Sequence, residues 1–118
     1  MWFVLSDPRL SPLARGLIVD PGNDILLSPA TYWEVAIKIS TGKYALPEDF
    51  SDFMLDQIRR NDFEVIPIEV AHAAVVASLP YHHRDPFDRL LVAQAVVERV
   101  PIVSGDAALD AYAVTRLW

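Results

Sequence analysis

The sequence predicts an α/β domain, a mostly parallel sheet flanked by helices in three layers. Three observations carry this. Short apolar runs of strand length alternate with segments of helical periodicity from one end of the chain to the other. Three helices open on a capping residue followed by proline, at Ser11-Pro12, Ser28-Pro29 and Asp85-Pro86, which marks their starts. The 118 residues, 53% of them apolar, suffice for one layered core and not for two, so residues 1–118 read as a single domain.

Taken in order, Ser11 and Pro12 open a short helix, LARGLIV, that ends near Asp20-Pro21-Gly22. DILLS (24–28) follows as a brief buried strand. Ser28-Pro29 then starts the helix ATYWEVAIKIS, which Gly42 stops. After Leu46-Pro47, EDFSDFMLDQIRRN places Phe50, Phe53, Met54 and Ile58 at helical spacing, with acids on the other face. FEVIPI (63–68) alternates and is bounded by Pro67, as a strand does. EVAHAAVVASL is an alanine-rich helix and YHHRDP a loop. The helix PFDRLLVAQAVVER, the strand PIVSG, the helical turn DAALDAY and a last strand AVTRLW complete the chain. Strands and helices at this spacing require crossovers, hence parallel pairing with both sheet faces covered.

Composition excludes several functions. There is no cysteine, so no disulfide, thiolate nucleophile or cysteine-ligated zinc, which suits a reducing cytoplasm. The apolar start MWFVL stops at Ser6-Asp7-Pro8, too short for a secretion signal or a membrane span, and no other run approaches membrane length. The net charge of −6 repels phosphate, so nucleic-acid binding must be local or bridged by a cation.

In sheets of this class ligands gather at the carboxyl ends of the strands. Glu34, Asp88 and Asp106 fall at that rim, Asp106 directly after PIVSG and Asp88 in the first turn of its helix. Capping accounts for each acid in part. Thr31 and Glu34 match a capping box, although Ser28-Pro29 is the better start. Asp85 fits an N-cap with Asp88 at N3, and Asp106 fits the cap of DAALDAY. Glu34 sits among Tyr32, Trp33, Val35, Ala36 and Ile37, where an ionised carboxylate needs a partner: a cation, or Lys38 one turn on. An oxygen-only ligand set suits Mg²⁺ or Mn²⁺. His82 and His83 are adjacent and lack zinc-ligand spacing. His72, in an Ala/Val helix, reads as a packed or half-exposed residue and not as a ligand. Arg84 and Arg89 flank the acids, either to meet a phosphate backbone or to balance Asp85 and Asp88.

LSDPRLSPLAR, LLSPATYWEVAIKISTGK, HHRDPFDRLLVAQA and IVSGDAALDAY, in this order, resemble the PIN-domain family, specifically the VapC-type ribonuclease toxins of type II toxin–antitoxin systems. The resemblance implies a PIN-like fold and hydrolysis of RNA phosphodiesters with Mg²⁺ or Mn²⁺. It implies three metal-binding, catalytic carboxylates: Glu34 in SPATYWEVAIK, Asp88 in DRLLVAQA, and Asp106 after the late strand. Asp85 would cap or act from behind the ligands, Ser104 would hydrogen-bond a ligand or water, and Arg84 and Arg89 would help to position RNA. RNA, a cognate antitoxin and a second copy of the chain are the implied partners.

One departure stands out. The family begins with a central strand ending in aspartate and Thr or Ser, commonly D-T-H-x-L-L-W, whereas Met1-Trp2-Phe3 resembles the later part of the helix after it. The chain is therefore expected to be truncated at its N-terminus, lacking that strand and one ligand carboxylate, either because its start is assigned at an internal methionine or because it is an inactive relative. Two functions stay open: a metal-dependent ribonuclease, or an inactive PIN-fold module that keeps antitoxin binding or self-association. A receiver domain of flavodoxin type is set aside, because it needs an early acidic pair and a late lysine, and the only lysines are Lys38 and Lys43.

Overall fold

Among the described residues five α-helices form, three of them starting where the capping residue and proline place them. In the computed structural model, which describes residues 11–46 and 48–118, they are α1 (Pro12–Val19), α2 (Pro29–Ser40), α3 (Phe50–Arg60), α4 (Val70–Ser78) and α5 (Pro86–Glu98). The features expected of MWFVL, of Ser6-Asp7-Pro8 and of Pro47 lie outside the described residues. Ser11, Ser28 and Asp85 are the N-caps of α1, α2 and α5, each accepting from a first-turn amide and each followed by proline. Thr31 does not start α2. A 3-10 turn, Ala107–Ala111, takes the place of the last short helix and is capped by Asp106.

The strands are shorter than the sequence predicts, and among the described residues they form two parallel ladders instead of one sheet. β1 (Leu26–Leu27) pairs with β2 (Glu64–Val65), and β3 (Ile102–Val103) pairs with β4 (Arg116–Leu117). Residues of β1 and β3 line a common cavity of about 740 Å³, and among the described residues the two ladders are not joined into one sheet.

α5 ties the parts together by packing on α2, α4 and β3. Its residues Val92 and Ala95 form a buried core with Ile102, Leu109 and Tyr112, flanked by Leu79, Leu91 and Val114. The α4–α5 contact carries a polar staple. His72 is fully buried, its Nδ1 accepts from the Glu69 amide at 2.9 Å, and its Nε2 lies 2.9 Å from Glu98 Oε1. His72 is thus a packed residue at the far end from the acids.

Arg89 is the other buried polar anchor, 5% exposed. Its guanidinium donates to the carbonyls of Val76, Leu79 and Pro80 at 3.2, 3.2 and 2.9 Å, and the Tyr81 ring covers it at 4.0 Å. The Val76 carbonyl, which also accepts from the Leu79 amide, lies in the last turn of α4, where the helix dipole favours a cation. The α4–α5 loop is therefore wrapped around this side chain.

α5 ends on Arg99 in the left-handed conformation, φ 57° and ψ 46°. A side chain there costs about 1–2 kcal/mol, partly offset in a glycine variant by the greater freedom of its unfolded chain. Arg99→Gly is expected to stabilise the fold by about 0.5–1 kcal/mol in urea melts. Unchanged or reduced stability would mean that Arg99 contributes through its side chain.

Candidate metal centre

Glu34, Asp85, Asp88, Ser104 and Asp106 all line the cavity between the ladders. Their positions follow from local structure. Because α2 starts at Ser28, Glu34 falls in its second turn on the face that carries Thr31 and Lys38 to the cavity wall. Asp85 caps α5 by accepting from the Phe87 and Asp88 amides at 2.8 and 3.2 Å, which leaves Asp88, in the first turn, directed to the same space. Asp106 follows β3 and accepts from the Ala108 amide at 3.0 Å.

The tightest grouping is not the one expected. Asp88 and Asp106 converge with His83, each offering one potential ligand atom within 4.8 Å of the others. His83 Nε2 lies 2.6 Å from Asp106 Oδ2 and 3.3 Å from Asp88 Oδ2. Glu34 is in the same cavity but outside this group. Lys38, its possible partner, instead lies over the Tyr44 ring at 5.3 Å, and among the described residues no cation pairs with Glu34.

The charges are visibly crowded. Burial, then the neighbouring Asp85, pushes the Asp88 carboxyl up to about 6, with Glu34 and Asp106 adding to the rise and His83 opposing it. Asp106 is held below the usual carboxylate range by its hydrogen bond with His83 and then by the Ala108 amide. The same bond with Asp106 raises the His83 imidazole, against some loss from burial. One imidazole thus serves two carboxylates, and Asp106 has the better share of it.

Arg89 does not reach this site. Its donors are taken up by loop carbonyls, and its burial removes it from contact with a polyanion, which corrects the RNA-contact role expected from sequence. Arg84, by contrast, is exposed on the loop leading into α5. The Ser104 hydroxyl accepts from the Asp106 amide at 3.1 Å, so it shapes the turn carrying that acid.

His83 is the residue that sequence reasoning missed. Adjacent histidines fail a zinc-spacing test, but another signal was available: His83 stands two residues before an N-cap, within reach of the cap's own amide. Its Nδ1 accepts from the Asp85 amide at 3.0 Å.

The domain profile that matches this chain is the PIN domain, over residues 1–114. The chain belongs to the PIN-domain family. Among curated proteins it is similar to Ribonuclease VapC16 of Mycobacterium tuberculosis (strain ATCC 25618 / H37Rv), 37% identical over 71 residues. That match covers 57% of this chain and 50% of the relative, so the PIN-domain chain matches about half the length of this curated protein. No solved structure matches it. Among the described residues, no helix of this PIN-domain chain is long and apolar enough to cross a membrane.

The donor set of the PIN-domain site fits Mg²⁺ or Mn²⁺. It offers carboxylate oxygens from three elements around one cavity, with like charges close enough to raise one of them, as a bound dication would relieve.

Proposed function

We propose that this domain is a Mg²⁺- or Mn²⁺-dependent ribonuclease that hydrolyses RNA phosphodiester bonds. The observation that carries it is the convergence of Asp88 and Asp106, with Glu34 in the same cavity wall, in a PIN-domain chain similar to a protein named as a ribonuclease. When bound, the metal would orient the scissile phosphate, lower the pKa of the attacking water and stabilise the leaving oxygen. The protein's own part is placement. Asp106 is fixed by the Ala108 amide and His83, Asp88 stands at the first turn of α5 where a dication would relieve its crowding by Asp85, and Glu34 would supply a third carboxylate. Arg84 is the cation available to a phosphate backbone.

The same reading makes the protein a cytoplasmic toxin neutralised by a cognate antitoxin. Exposed apolar side chains, Trp33 at 59% and Val70 at 86%, support protein-binding surfaces for that partner or for a second copy of the chain. The runner-up is a PIN-fold module that binds these partners without cleaving RNA.

The test is cleavage of a mixed RNA population by purified protein. Cleavage is expected with Mn²⁺ or Mg²⁺, and it should be lost with EDTA and in Glu34→Gln and Asp106→Asn. Intact RNA under every condition, with the antitoxin still bound, would give the binding module precedence.

A further inference from the structure

Distances alone make His83, Asp88 and Asp106 look like a ligand triad. The hydrogen bonds say otherwise. A backbone amide can only donate, so the 3.0 Å contact from the Asp85 amide makes His83 Nδ1 an acceptor, without a proton. A neutral imidazole then carries its proton on Nε2, the atom 2.6 Å from Asp106 Oδ2 and 3.3 Å from Asp88 Oδ2. An Nε2–H has no lone pair for a cation. The ring would become a ligand there only by breaking its bond to the amide that heads α5, or by losing its one N–H proton to become an imidazolate.

Rotation is opposed from a third side. The His83 amide donates to Tyr112 Oη at 3.0 Å, and that hydroxyl donates to the Pro80 carbonyl at 2.6 Å. His83 is therefore pinned at its backbone and at both ring nitrogens, with a donor aimed at two carboxylates.

Resting on the metal-site reading above, we propose that His83 is a positioning residue and not a metal ligand. Its Nε2–H, fixed in that tautomer by the Asp85 amide, orients the Asp106 carboxylate and steadies Asp88 so that their remaining lone pairs face a divalent ion. The role has a chemical consequence for specificity. With the imidazole withheld, the ion meets oxygen alone, which favours Mg²⁺ and Mn²⁺ over nitrogen-seeking Zn²⁺. Partners that hold ligating carboxylates in place contribute about ten- to a hundredfold in metal affinity.

Two measurements on the full chain test this. The first is a ring ¹⁵N–¹H correlation spectrum of His83, without and with saturating Mg²⁺. A protonated Nε2 and an unprotonated Nδ1 in both spectra are expected. A reversed tautomer, or Nε2 losing its proton on saturation, would overturn the proposal. The second is calorimetric Mg²⁺ titration of His83→Gln, which keeps an N–H donor, and His83→Leu, which does not. His83→Gln should bind nearly as the parent does, and His83→Leu about ten- to a hundredfold more weakly. Equal loss in both variants, or no loss in either, also overturns it. If the parent protein itself fails to bind Mg²⁺, the metal-site reading fails, while the tautomer in the metal-free spectrum still decides the assignment of His83.

Discussion

Asp88→Asn should abolish divalent-metal binding and, at the same time, make the metal-free protein more stable. Both effects come from one carboxyl. Its ordinary value is 3.8 and the fold pushes it to about 6, so the folded protein disfavours the charged form. A raised acid contributes stability that is fully present below 3.8 and is lost as pH rises through about 6. Above that pH the gap amounts to at most about 3 kcal/mol. Solvent screening at a partly exposed side chain leaves about 1–2 kcal/mol as the expected gain for the neutral amide at pH 8. The helix-dipole benefit of an acid at this position is already contained in the net rise. Asp85→Asn is the matched control, because asparagine caps as well as aspartate, so helix stability and metal binding should both be nearly retained. Urea melts at pH 4 and pH 8 with parallel Mn²⁺ titrations check the pair. A stability gain at pH 4 equal to that at pH 8, or greater loss of metal affinity in Asp85→Asn, would reverse the assignment.

Arg89→Ala should cost about 4 kcal/mol, combining the cavity it leaves with the loss of its bonds to three carbonyls, of which Val76 and Pro80 keep the Leu79 amide and the Tyr112 hydroxyl as donors. A domain of this kind holds only about 5–15 kcal/mol in total, so the variant should be partly unfolded near room temperature. Arg89→Lys should be only a partial rescue, since one ammonium cannot span the carbonyls of Val76, Leu79 and Pro80 as the planar fork does. Chemical denaturation followed by circular dichroism measures both. A cost below about 1 kcal/mol for Arg89→Ala would show that the loop holds without it.

The helices were legible because their signals are local. A capping side chain and the proline after it are neighbours in sequence, and Ser28-Pro29 alone fixes where Glu34 falls on α2. The strand ladders were not, because pairing is a property of two distant segments. FEVIPI reads as a full strand, yet only Glu64 and Val65 form the ladder with β1, and Ile66 adds one further amide bond to the Leu27 carbonyl. Arg89 was misjudged for a related reason. Its position beside Asp88 is sequence information, but the helix turns it about 100° away, toward the carbonyls of Val76 and Leu79 at the end of α4. His83 needed both kinds of knowledge: a local bond to the Asp85 amide, and a bond to Asp106, 23 residues away.

With ladders of two residues each, cohesion rests on α5, and this makes the helix a mechanical link between two chemically different ends. Its first turn bears Asp85 and Asp88; its last residue, Glu98, meets buried His72. Thirteen residues span about 20 Å. An ion seated at the first turn is therefore expected to tighten a rod whose other end is clamped to α4. Amide exchange along α5 should slow over its whole length on adding Mn²⁺, including turns that touch no acid, while the short ladders continue to open on their own.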